Sequence, residues 1–254
     1  VITAAALCPA PPLLARELTG ADPVLPELRQ ACQDAVDGLL RGQPDVVAVI
    51  GAGQSTQAWE GSQGLDVSGF APGIGAAARD GSTRPDGSGV APGVGPMAPH
   101  GSKGLPLPLG LGARLLDQAG YTGSRVLQLV GEDEPAGRCA ELGASIARSA
   151  GRVALLVMAD GSARRGPRAP GYFDSRSGEF DAGVERAVRA GDLDALLAVD
   201  QDLARELMAT GRPSWQVLAG ALQGSALASE ILYSDDPFGV AYLVASLVVQ
   251  PKDA

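Results

Sequence analysis

Histidine is nearly absent from these 254 residues: there is one, His100. A Ser-His-Asp triad would have to use it, and a metal site built on two histidines cannot be assembled within one chain. Cysteine is almost as scarce. Cys8, Cys32 and Cys139 form an odd, scattered set with no CxxC pair, which reads as free thiols in a reducing compartment, not as a disulfide frame or a zinc knuckle. Aromatic residues make up 4% of the chain, so the core has to be built mainly from Leu, Val and Ala. Basic charge is also short, with 20 Lys and Arg against 29 Asp and Glu and a net charge of −9. That balance argues against nucleic acid and anionic membranes as partners, since both need clustered cations, but it leaves room for a local basic pocket. No apolar run approaches the length that crosses a bilayer. The opening VITAAALC lacks a basic leader and carries Leu7 directly before Cys8, so it reads as a buried first strand and not as a targeting peptide. The expected compartment is the cytoplasm.

What the chain does have is an alternation of two patterns. VITAAAL, DVVAVIG (45–51), RVLQLVG (125–131) and RVALLVMA (152–159) are short apolar runs with strand character. Helical spacing lies between them: Leu25, Leu28, Cys32, Val36 and Leu39 recur at three- and four-residue steps, with Gly42 where a helix would stop. Asp133, Glu134 and Pro135 form an acidic helix start ahead of Cys139, Leu142, Ile146 and Ala150. In the C-terminal third, Asp192 and Asp200 are placed to cap two short helices, Gly211 to end the second before Pro213, and SWQVLAGAL to form another. SEILYS and GVAYLVASLVV read as strands returning to the sheet. The expectation is a single α/β domain over 1–254, with a mainly parallel central sheet and helices on both faces.

Residues 61–104 interrupt this regime. They are rich in Gly and Pro, and FAPGIG at 70–75 returns as VAPGVG at 90–95. Ala-Pro-Gly suits a type II turn, because proline fixes the first corner and glycine accepts a positive φ at the second. The segment reads either as a flexible surface insertion or as a lid over a pocket.

The segment VALLVMADGSARRGPRAPGYFD (153–174) has the form of an active-site approach: a buried strand running into Asp160, Gly161 and Ser162, then Arg164, Arg165 and a rigid Pro-Gly corner. Ligands of α/β proteins sit beyond the carboxyl ends of such strands. Arg164 and Arg165 read either as grips for a carboxylate or phosphate or as solvated charges. Asp160 reads as a turn former before glycine or as a proton-transfer group. His100, at the end of the Gly/Pro-rich insertion, reads as a solvated loop residue or a ligand contact. Glu230, at the start of an apolar strand, should either be exposed or have a partner in a pocket. Motifs for other chemistries are incomplete. GAGQST at 51–56 lacks the third glycine of a dinucleotide loop, HGSKG at 100–104 lacks the GK[ST] order, and no GxSxG elbow occurs.

Taken together, ADGSARR…PGYFD…FDAGVERAV, GRPSWQVLAGAL and ASEILYSDDPFGVAYLVA resemble the LigB-like family, which comprises one of the subunits of class III extradiol ring-cleavage dioxygenases and the related MEMO proteins. The resemblance covers most of the chain outside 61–104 and implies a three-layer α/β architecture. It also implies a site in which two histidines and a glutamate hold Fe(II) and a third histidine acts as acid and base. This chain departs from that pattern. The ligand positions match Ala10 in CPAPPLL, Gln54 in GAGQ and Glu230, and the acid/base position matches Ala163, with Asp160 and Ser162 kept around it.

A single carboxylate cannot supply the facial ligand array that holds Fe(II) with open positions, so the expectation is a homologue with its iron site dismantled and no cofactor. It would bind a small, aromatic or carboxylated molecule, with Asp160, Ser162 and Glu230 as the candidate catalytic groups and Arg164, Arg165 and His100 as candidate substrate contacts. The resemblance also allows a catalytically inert MEMO-like scaffold, or a dioxygenase component completed by a partner chain. A homodimer is a base-rate expectation.

Overall fold

The structure, a computed structural model, describes residues 1–15, 19, 24–59 and 104–250. His100 and the 61–104 insertion, apart from Gly104, lie outside the described residues. One seven-stranded sheet organises the rest, in the order β3-β4-β2-β5-β1-β7-β6. The strands are β1 (Ile2–Cys8), β2 (Val46–Gly53), β3 (Gln57–Trp59), β4 (Ser124–Gly131), β5 (Val153–Met158), β6 (Leu227–Asp235) and β7 (Tyr242–Val249). Its centre, β4-β2-β5-β1, is parallel throughout. Its flanks are not: β3 pairs with β4, and β7 with both β1 and β6, antiparallel. The sheet is therefore mixed, where the apolar runs alone predict a mainly parallel one. The reason is connection length. A parallel crossover needs a dozen residues or more, whereas three separate β2 from β3 and six separate β6 from β7, which forces each pair to run in opposite directions.

The central strands are buried on both faces, and β5 is buried at every residue, as its unbroken Val/Leu run predicts. Alternate side chains feed two apolar layers. Ala4, Ala6 and Cys8 face α1 (Pro26–Leu40) and α2 (Leu107–Gln118), which contribute Leu28, Cys32, Val36, Leu109 and Leu116. Ala5 and Leu7 face α3 (Ala136–Ala147), α4 (Ser177–Ala190) and α7 (Arg212–Leu222), which contribute Ile146, Val188, Trp215 and Leu218. With so few aromatics, closeness replaces bulk. The α3–α7 crossing is made by Gly143 and Gly220, where an added Cβ would fall 2.0 Å from the Val217 carbonyl oxygen and 2.3 Å from that of Ala140. The three cysteines are free and buried.

Local capping follows the sequence in α5 (Leu193–Leu197) and α6 (Gln201–Glu206). Asp192 accepts from the Ala195 amide at 2.9 Å and Asp200 from that of Leu203 at 2.7 Å. Gly211 departs from its expected role as a helix end. The left-handed residue after α6 is Met208, at φ 56°, and Gly211 instead opens α7 at φ −68°. Its missing side chain serves close approach, since a Cβ there would lie 2.6 Å from the Asp160 carbonyl oxygen and 2.7 Å from the Trp215 ring. Among the described residues no helix is long and apolar enough to cross a membrane.

Candidate functional site

The parallel strands β1, β5 and β2 end level with one another, because Met158 pairs with both Cys8 and Gly51. The residues just past those ends therefore gather at one edge of the sheet: Ala10 after β1, Gln54 after β2 and Asp160 after β5. Two of them touch. The Ala10 N–H donates to Asp160 Oδ1 at 2.9 Å, across 150 residues of sequence. Pro11 and Pro12 follow and have no N–H to offer, so Ala10 is the amide that CPAPP leaves for this bond. On the other side of Asp160 its own carbonyl accepts from Gly211 at 2.9 Å. Asp160 is half-buried, and the burial of its carboxyl group pushes the pKa up to about 6 against the opposing pull of the Ala10 N–H. Tyr242, which is buried, is pushed up by burial first and by the nearby charge of Asp160 second.

Ser162, Ala163 and Arg165, which follow, are tied down individually. Ser162, fully buried, donates its N–H to Asp181 Oδ1 at 2.8 Å and its hydroxyl to Asp181 Oδ2 at 2.5 Å. Burial raises the Asp181 pKa, and the two Ser162 bonds oppose the rise. Ala163 donates its N–H to the Leu207 carbonyl. Arg165 is anchored by its main-chain N–H on Gly239 and by Nε on Asp236 Oδ2 at 2.7 Å, with Asp181 at 3.8 Å. Beyond it opens a cleft of about 220 Å³ walled by Gly161, Arg165, Asp181, Trp215, Asp236 and Tyr242. Arg164 does not line this cleft, and its Nε is buried with no hydrogen-bond partner among the described residues.

The structure thus brings Ser162 and Arg165 together at Asp181, sets Asp160 against Ala10, and places Glu230 with neither. Glu230 is exposed on the outer strand β6, where it pairs with Ser246, itself paired with Ala6 in the middle of β1. Of the two fates its sequence allows, exposure is the one found. The Fe(II) ligand positions that the resemblance implies do not fit the ion: a methyl group at Ala10 and an exposed amide at Gln54 share the carboxyl edge, and the carboxylate of Glu230 is on another strand at another height. Among the described residues no group of three or more His, Cys, Asp or Glu is placed to hold a metal ion.

Three functional neighbours escape a reading of the sequence. Asp181 left a signal: it precedes Val184 and Val188 at steps of three and seven, so it is an acid on the apolar stripe of α4. Tyr242 and Gly211 left none, since a strand tyrosine and a pre-helix glycine are commonplace.

No family model matches the chain, and no curated protein matches it. Among solved structures it is similar to the uncharacterized protein JW3007 from Escherichia coli K12, at 13% identity over 97% of this chain and 99% of that one, with a TM-score of 0.49. A likeness of that strength carries no weight for function.

Proposed function

We propose that the chain is a diverged relative of the LigB-like proteins, with their three-layer architecture. It binds a small aromatic or carboxylated molecule over the carboxyl edge of β1, β5 and β2, and it moves a proton there through Asp160, without an Fe(II) centre. The observation that carries this reading is the Asp160 carboxyl group. It is half-buried at the head of the sheet's parallel centre, steered by a single main-chain amide and pushed up to about 6. A carboxyl with that pKa has both protonation states within reach near neutrality, as a general acid–base group requires. Below about 6 it donates a proton to a ligand oxygen, and above it accepts one. Ala10 holds one oxygen in place, and Ser162, clamped by Asp181, fixes the turn that follows. Arg165, oriented through Nε by Asp236, is the group for a ligand carboxylate. Glu230 has no part in the step.

The test is a thermal-shift titration with catechols and aromatic carboxylic acids, on the wild type and on Asp160→Asn. At least one such probe should stabilise the wild type, with a pH dependence centred near 6 that the variant lacks. If none does so, the ligand reading fails. Stoichiometric iron in protein purified without chelator would overturn the claim of a dismantled centre.

A further inference from the structure

Four of the large apolar side chains that the fold leaves in solvent belong to one loop cluster. Tyr172 is 79% exposed, Phe173 60%, Phe238 44% and Met208 43%. Main-chain bonds bring their segments together. Gly171 donates to the Ala163 carbonyl and Ala163 to that of Leu207, which ties the Tyr172–Phe173 corner to Met208. A Cβ on Gly171 would lie 2.5 Å from the Met208 sulfur. From the other side Arg165 donates to the Gly239 carbonyl, and a Cβ on Gly239 would lie 2.6 Å from that of Ala169, so Phe238 borders the same corner. Tyr172 and Met208 are both held in the left-handed region, at φ 61° and 56°, which side chains other than Gly, Asn and Asp seldom enter. Single exposed apolar residues need no explanation. Four on one cluster, two of them on strained backbone, mark a contact surface.

The charges around the cluster indicate what it contacts. Arg168 and Asp235 are both exposed, and neither has an ion-pair partner among the described residues. A wholly acidic partner would satisfy Arg168 and be repelled at Asp235. A two-fold contact satisfies both at once, because a surface facing its own copy receives whatever it presents. We propose that this loop cluster is where the chain pairs with a second copy of itself. Tyr172, Phe173, Phe238 and Met208 form the apolar centre of the contact, and Arg168 of each copy faces Asp235 of the other. The proposal is independent of the small-molecule reading.

Sedimentation velocity over a wide concentration series tests it on the full chain. The wild type should show a reversible monomer–dimer equilibrium. Phe173→Ser should weaken association about tenfold or more, as should Tyr172→Asn, which keeps a residue that tolerates left-handed φ. Both should keep the wild-type circular dichroism and, at concentrations where the wild type is monomeric, its melting temperature. Arg168→Asp should weaken the dimer, and adding Asp235→Arg to the same chain should restore it. Val248→Ser, at a 45% exposed position on β7, should leave it intact. A wild type that stays monomeric overturns the proposal, as does a dimer that Phe173→Ser leaves unchanged, or a charge-swapped chain that fails to recover.

Discussion

If burial holds the Asp160 carboxyl at about 6, that group weakens the folded state at neutral pH, and replacing it with a neutral isostere should strengthen the fold. The ordinary value is 3.8, so the rise is roughly 2 pKa units, or about 3 kcal/mol when the group is fully ionised. The sign follows from which state binds the proton. The folded state holds it up to about 6 and the unfolded chain releases it near 3.8, so stability is fully present below 3.8 and is lost as pH rises through about 6. Asp160→Asn escapes that loss. Its Oδ1 still accepts from Ala10, and its new amide N–H₂ costs about 1 kcal/mol if left without a partner. The variant should therefore be about 2 kcal/mol more stable than the wild type at about pH 7.5, with the gap closing towards about pH 4. Urea unfolding of both proteins at a series of pH values measures the difference directly, since pH effects elsewhere in the chain cancel. A variant no more stable than the wild type at neutral pH would refute the reasoning, and so would a gap that does not change with pH.

Two glycines of α3 should respond in opposite ways to the same substitution. Gly143→Ala sets a Cβ 2.0 Å from the Val217 carbonyl oxygen and should destabilise by about 2–3 kcal/mol. Gly137→Ala, with nothing within 4 Å, should gain up to about 1 kcal/mol of helix propensity; denaturant midpoints of the two variants decide the matter. Arg212→Leu should cost about 3 kcal/mol or more in the same assay. The buried guanidinium donates to the carbonyls of Glu132 and Glu134 and to Gln216 Oε1, and the substitution leaves these acceptors unpaired. Asp181→Ala removes the acceptor for both the N–H and the hydroxyl of Ser162 and should lower the melting temperature. Adding Ser162→Ala to it should cost little more, because the two residues form one unit.

Much of the scaffold is legible in the residues themselves. The unbroken apolar run of β5, the three-and-four spacing of α1 and the caps at Asp192 and Asp200 are local patterns, and each element took the form its pattern implies. The antiparallel flanks are harder to read, because direction depends on the length of the connections and not on the strands. Candidate residues divide along the same line. Asp160, Ser162, Arg164 and Arg165 stand out because they follow a buried strand; Ser162 and Arg165 share Asp181, while Asp160 reaches Ala10 instead. Glu230 stands out equally, yet its place depends on which strand β6 pairs with and in what register.

The chain's local chemistry settles which segments become strands and helices, because periodicity and capping act over a few residues. It also settles that a metal site built on two histidines cannot be assembled within one chain. Only the folded sheet could set Ala10 beside Asp160 from 150 residues away, withdraw that residue partly from water, and leave Glu230 in solvent. Burial and long-range pairing are properties of the assembled layers, and no short stretch of sequence contains them.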